Sequence, residues 1–226
     1  ILSVSARLFN PLNPRVPLVA KILLQELWIQ KLDLDESIPL RLDTSWQNFK
    51  ANLMQLSSIS IPRYVNVESS AICQIHGFSD ASIRAYGCCL YIRSQSASGI
   101  KCMLLTAKSR VAPLKTKSLP RLELSAAHLL SKLWSRVAPM LSRHFENITF
   151  WTDSEIVLHW IKTHPSSLQT FVANRVSEIQ ELTDKVHWRH VPTKQNPADQ
   201  VSRGCNVDEL NNSIWFGGPQ FLLEDP

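Results

Sequence analysis

Glycine is scarce in this chain, six in 226 residues, and no internal repeat is visible. That scarcity excludes collagen-like sequence and Gly-rich linkers, and the 13 prolines follow no such pattern either. Long apolar runs are also missing. The stretch "PLVAKILL" is interrupted by Lys21, and no segment reaches the ~18 apolar residues of a membrane span. The opening "ILSVSARLFN" lacks the build of a signal peptide, and a start on Ile1 suits a segment cut from a longer polypeptide. Cys73, Cys88, Cys89, Cys102 and Cys205 make an odd set of five with no C-x-x-C pair. A disulfide framework and a zinc site are both disfavoured, and a reducing, intracellular setting is the expectation.

What remains is ordinary globular composition, 44% apolar and 19% charged. The length suits one large domain, or one domain with a subdomain. Twenty-four basic against 19 acidic residues leave a net charge of +5, which suits a polyanionic partner without requiring one.

The chain changes texture near residue 66. Before it, apolar residues recur at helical spacing: Val19, Leu23, Leu27 and Ile29 in one helix. Trp46, Phe49, Leu53 and Leu56 mark a second, with Thr44 or Ser45 as its cap. This part reads as a support or linker. After residue 70 come three strand patterns, "AICQIHGFSDAS", "YGCCLYIRS" and "KCMLLTAKSR". A long helix follows, with Pro120 in its first turn and Leu122, Ala126, Leu129, Leu130, Leu133 and Val137 on its buried stripe. Then come a strand "NITFWTD", a helix capped by Ser154, a helix "LQTFVANRVSEIQEL", a strand "KVHWRHV" and a short last helix in "NPADQVSR". The order βββαβααβα predicts an α/β fold, a mixed sheet with helices packed on it.

Four acids fall at similar places in that order. Asp80 ends the first strand, Glu123 lies in the first turn of the long helix, Asp153 ends the fourth strand, and Asp199 begins the last helix. Singly, each has an ordinary reading as a turn or helix-start acid. Together, beyond the carboxyl ends of central parallel strands, they form a ligand site. Four clustered carboxylates stay ionised only with a cation among them, and oxygen ligands favour Mg²⁺ or Mn²⁺. Two such ions form a clamp for in-line phosphodiester displacement. Just ahead of Glu123, Lys108, Arg110, Lys115, Lys117 and Arg121 make a basic stretch suited to phosphate backbone. Asn174 and Arg175 are a second candidate contact, suited to the shallow minor groove of an A-form-like duplex. Trp134, Trp151, Trp160 and Trp188 read as core.

The words "FSDAS", "AYG", "LLTAKSRVAPLK", "LPRLELSAA", "WTDSEIVLHWI", "FVANRVSEI" and "HVPTKQNPADQVSRG" resemble the ribonuclease H domain of long-terminal-repeat retrotransposon reverse transcriptases, of the BEL/Pao lineage above all. The region before it resembles the piece that follows the polymerase, although Phe9-Asn10-Pro11-Leu12-Asn13 stands where that family reads F-D-P-L-G. The tail "IWFGGPQFLL" resembles the segment after the nuclease. The resemblance implies a five-stranded ribonuclease H-like domain over 67–205, a helical connection-like segment over 1–66 and a tail over 206–226. It implies a metal quartet of Asp80, Glu123, Asp153 and Asp199, two Mg²⁺ ions, an RNA–DNA hybrid as substrate, and a polymerase upstream in one polyprotein. It also implies a cytoplasmic, particle-associated setting with no membrane partner. Many relatives carry a mobile His before the last Asp; here Thr193 and Lys194 occupy that spot and His190 lies just upstream. A hybrid-holding module that cuts poorly is the alternative. The label of aspartic peptidase, sometimes given to this region, is disfavoured because no Asp-Thr-Gly or Asp-Ser-Gly occurs.

Overall fold

The computed structural model describes residues 15–32, 36–55, 71–141, 145–203 and 214–224. Phe9–Asn13, Leu56, Cys205 and the 66/67 boundary lie outside them. Three strands form a meander, β1 (Ile72–Ala81), β2 (Ala85–Ser96) and β3 (Gly99–Val111). Helix α3 (Leu119–Val137) crosses back to β4 (Asn147–Thr152). After α4 (Glu155–Lys162) and α5 (Thr170–Leu182) the chain returns as β5 (His187–His190) and ends its regular run in α6 (Asp199–Arg203). The order across the sheet is β3-β2-β1-β4-β5. β1 pairs antiparallel with β2 and parallel with β4, and β4 pairs parallel with β5. The expected mixed sheet and element order are observed, and with them the ribonuclease H-like fold.

Strand alternation divides the core in two. Ile75, Cys88, Leu90, Ile92 and Phe150 face α3, where Leu129, Leu130 and Trp134 meet them. Phe78, Cys89, Tyr91, Cys102 and Leu104 face the other way, against Val201 of α6 and against Trp215 and Leu222 of the C-terminal segment. That segment is built into the second core layer. Trp215 is fully buried, the Tyr91 hydroxyl donates to its carbonyl at 2.6 Å, and the Arg93 Nε donates to the Leu222 carbonyl at 2.8 Å. The expected 206–226 tail therefore supplies, through residues 214–224, cover for one face of the sheet.

Two glycines let helices approach. A Cβ on Gly77 would lie 2.6 Å from the Phe150 ring and 2.9 Å from Leu130. A Cβ on Gly87 would overlap Val201, so only glycine lets α6 sit this close to β2.

In front of the sheet domain, α1 (Arg15–Ile29) packs on α2 (Leu40–Gln55) through Ala20, Leu23, Leu42, Trp46 and Phe49. One expectation is corrected here. Thr44 and Ser45 are not caps: α2 starts after Pro39, whose carbonyl accepts from Leu42 and Asp43, and both hydroxyls bond back to carbonyls one turn earlier. Ile29, the last residue of α1, is within the expected helix and 60% exposed. The pair is tied to the sheet domain where Gln25 Nε2 donates to the Ala112 carbonyl at 2.7 Å and Arg84 meets Glu26 at 2.6 Å. Among the described residues no helix is long and apolar enough to cross a membrane.

Candidate active site

The parallel register places Ser79 beside Thr152. Asp80, the next residue of β1, and Asp153, the first residue past β4, therefore emerge side by side at one end of the central pair. Asp80 points to the layer that holds α6, and it is only 5% exposed. Its Oδ2 accepts a hydrogen bond from Ser202, one turn along the helix that Asp199 begins. The loop leading to α6 is locked to β1 by buried Asn196, whose Nδ2 donates to the Ser79 carbonyl at 3.1 Å. Glu123 is not in the first turn of α3 as expected, because the helix starts at Leu119 and Glu123 is one turn further in; it accepts from Ser154 Oγ at 2.6 Å. The Ser154 hydroxyl also accepts from the Val157 N–H, so one side chain caps α4 and holds a site carboxylate. Asp153 Oδ2 accepts from Thr193 Oγ1 at 2.8 Å. Thr193, at the spot where the resemblance implied a His, thus makes this contact, and His190, paired with Thr152, is exposed at the same strand end.

The four expected carboxylates are brought to one rim, and they sense one another. Burial pushes the Asp80 carboxyl up to about 7, with Ser202 pulling it back and the charges of Asp153 and Asp199 adding to the rise. Burial also raises Glu123 and Asp199, opposed by the Ser154 hydrogen bond and by Arg203 respectively, while Asp153 again adds repulsion to both. Asp153 is the charge common to all three. The Arg203 Nε lies 2.7 Å from Asp199 Oδ1, a charge contact without the alignment of a hydrogen bond.

Each carboxylate is drawn to a partner of its own. Among the described residues, no three His, Cys, Asp or Glu side chains come close enough together to hold a metal ion. The donor chemistry nevertheless suits a hard divalent cation. All four groups offer oxygen, and three are held above the usual carboxylate range by burial and by the Asp153 charge.

The basic residues divide into three. Arg110, Lys117 and Arg175 line one cavity of about 140 Å³, together with Tyr86, Ser125, His128 and Lys132. Lys117, Arg121 and Arg175 gather over the Phe171 ring, 4.7, 5.3 and 3.6 Å from its centroid. The nearby acid, Glu178, is already engaged by His128 at 2.6 Å and Lys132 at 2.7 Å. Lys108 lies on β3 next to Arg110 but outside the cavity, and Lys115 and Asn174 are exposed away from it. Sequence reading missed Tyr86, His128, Lys132 and the three hydroxyls on the carboxylates. Ser154 and Ser202 look like a plain cap and a plain helix residue until the elements meet. Trp134 is core as expected, and Trp151, Trp160 and Trp188 are partly buried against it.

A family model described as "Pao retrotransposon-like RNaseH-like domain" matches residues 1–154, a span that contains Asp80, Glu123 and Asp153. No curated protein matches the chain. Several solved structures are similar at low identity. The N-terminal RNase H domain of a Mycobacterium tuberculosis protein, fused to maltose-binding protein, is 12% identical over 64% of this chain and 99% of its own, with a TM-score of 0.42. LC11-RNase H1 in complex with an RNA/DNA hybrid is 13% identical over 61% of this chain and 99% of its own, also at 0.42. RNase H1 from the halophilic archaeon Halobacterium salinarum NRC-1 is 12% identical over 62% and 98%, at 0.35.

Proposed function

Because this chain belongs to the Pao retrotransposon-like RNaseH-like domain family, we propose that it is a metal-dependent endonuclease that cuts the RNA strand of RNA–DNA hybrids during retrotransposon reverse transcription. The observation that supports this most is the rim itself, where Asp153 stands at the centre of a mutually repelling set with Asp80, Glu123 and Asp199. Those four residues would hold two Mg²⁺ ions. When bound, such ions supply an activated water and stabilise the departing 3′ oxygen.

The rest of the work falls to the chain's own groups. Ser202, Ser154 and Thr193 orient Asp80, Glu123 and Asp153 through their hydroxyls. Burial of Asp80 under α6 keeps bulk water from that side of the rim. Arg110, Lys117 and Arg175 take backbone phosphates, with Phe171 bracing Lys117 and Arg175 in place. Arg121 joins Lys117 and Arg175 over Phe171, while Lys108, Lys115 and Asn174, outside the cavity, are further candidate contacts. A polymerase in the same polyprotein is the expected companion.

A second reading, a module that holds hybrid and cuts poorly, draws on the separation of the carboxylates, no three of which converge among the described residues. One assay decides. Labelled RNA–DNA hybrid and duplex DNA are incubated with the chain, with and without Mg²⁺. The nuclease reading expects cleavage of the RNA strand only, only with the metal, leaving 3′-hydroxyl ends. Binding without cleavage at any Mg²⁺ or Mn²⁺ concentration would establish the second reading instead.

A further inference from the structure

Helix α1 borders a groove unrelated to the carboxylate rim. Lys21, Leu24, Gln25 and Trp28 form one wall, and Val111 and Leu114, at the end of β3 and just after it, form the other, enclosing about 270 Å³. Trp28 is 69% exposed and Leu114 58% exposed, a large apolar surface for residues of these types. The groove has a rigid footing, because Gln25 donates to Ala112 at 2.7 Å and Glu26 meets Arg84 at 2.6 Å, holding α1 to the sheet on either side.

Its surroundings are cationic. Lys21 on α1, Lys108 and Arg110 on β3, and Arg136 at the end of α3 have no acidic partner among the described residues. Burial, followed by the like charges of Arg136, Arg110 and Lys21, holds the Lys108 ammonium below its ordinary range, so the four belong to one patch. The acid that α1 carries beside the groove, Glu26, is taken up by Arg84 and Arg41 and adds no free negative charge. Arg110 also lines the cavity with Lys117 and Arg175, which makes the patch continuous with the phosphate track of the proposed function.

An apolar floor edged by Lys21, with the like charges of Lys108, Arg110 and Arg136 close enough to act together with it, attracts a polyanion. An exposed indole offers a stacking face, which the bases inside a paired duplex cannot reach. We propose that the α1–β3 groove receives a single strand leading out of the bound hybrid, with Lys21 on a backbone phosphate and Trp28 stacked on an unpaired base. This rests on the hybrid-binding reading above, and it makes the N-terminal helix pair part of the nucleic-acid interface rather than a spacer.

The test uses the 226-residue chain carrying Asp153→Asn to prevent cleavage. Fluorescence anisotropy compares a blunt hybrid with the same hybrid bearing a 5′ or a 3′ single-stranded extension. With Trp28 unsubstituted, one extension should improve affinity about tenfold, the scale of one stacked base. Trp28→Ala should abolish that preference and Trp28→Phe should keep most of it, while affinity for blunt hybrid stays unchanged. Lys21→Ala should lower the slope of log affinity against log salt for the extended probe by about 0.7. Both side chains are exposed, and an unchanged melting temperature for each variant confirms that the fold is kept. Equal affinity for blunt and extended probes, or a preference that survives Trp28→Ala, overturns the inference alone. Failure to bind any hybrid overturns the function proposed above and this inference with it.

Discussion

The carboxylate rim and the basic cavity share helix α3, yet they are built in opposite ways. At the rim, each acid has a partner of its own: Ser202 donates to Asp80, Ser154 to Glu123 and Thr193 to Asp153, while Arg203 of the same helix makes a charge contact with Asp199. Charge of one sign is gathered there, and separate partners spread it apart. At the cavity, Lys117, Arg121 and Arg175 are gathered over the face of Phe171, with Glu178 already committed to His128 and Lys132. Stacking on a ring holds cations in place without neutralising them, so they remain free for phosphate. The first arrangement prepares a place for cations, the second a place for anions.

The difference can be broken from the rim first. Asp153→Asn removes the charge that acts on the other three acids. Cleavage of hybrid should fall by roughly a hundredfold or more, because a neutral amide is a poor ligand for two ions. Hybrid affinity, set at the cavity, should hold, and the melting temperature should stay level or rise as repulsion is relieved. Near-normal cleavage in this variant would remove Asp153 from the metal-holding set.

Asp80 sharpens the contrast through pH. Its carboxyl is raised from 3.8 to about 7, so the folded state favours the protonated form. The stability this contributes is fully present below pH 3.8 and is lost as pH rises through about 7. Each tenfold gain in proton affinity on folding contributes at most on the order of 1.4 kcal/mol, and solvent and relaxation reduce it. In the absence of divalent metal, thermal melts should show stability falling over that window. Asp80→Asn should flatten the fall and melt higher than the parent at pH 8. Added Mg²⁺ should raise the parent's melting temperature at pH 8 and leave the variant's unmoved. A parent whose stability is level from pH 4 to 8 would contradict this account.

The smallest expected effect lies at the cavity. Arg175→Ala should weaken binding to every hybrid sequence alike and lower the salt slope by roughly 0.7–0.9, the signature of one phosphate contact. Cleavage of bound hybrid should change little. An unchanged slope would leave the cavity as ordinary surface.

Periodicity and punctuation made most of the fold legible. The element order needed only alternating strands, the long stripe from Leu122 to Val137, and caps such as Ser154, because these are local preferences. Asp80, Asp153 and Asp199 were legible as a set because they lie at element ends, which meet at the edge of a parallel pair, whereas Glu123 lies one turn inside its helix rather than in the expected first turn. Thr44 and Ser45 misled because a hydroxyl that caps one helix bonds back within another, and only Pro39 upstream decided which.

The type of each element, the sign of the charge each carries and the family to which the words belong can all be read along the chain. Tertiary structure alone decided which hydroxyl serves which carboxylate, that Arg110, Lys117 and Arg175 share a cavity while Lys115 does not, that Trp215 closes the second face of the sheet, and that Lys21 joins the patch around Lys108. The physical reason is range. Helix and strand preferences act over a few residues and can be read in order. A hydrogen bond from residue 202 to residue 80, or repulsion between a lysine on α1 and one on β3, exists only after the chain has closed on itself and glycine has let α6 settle against β2.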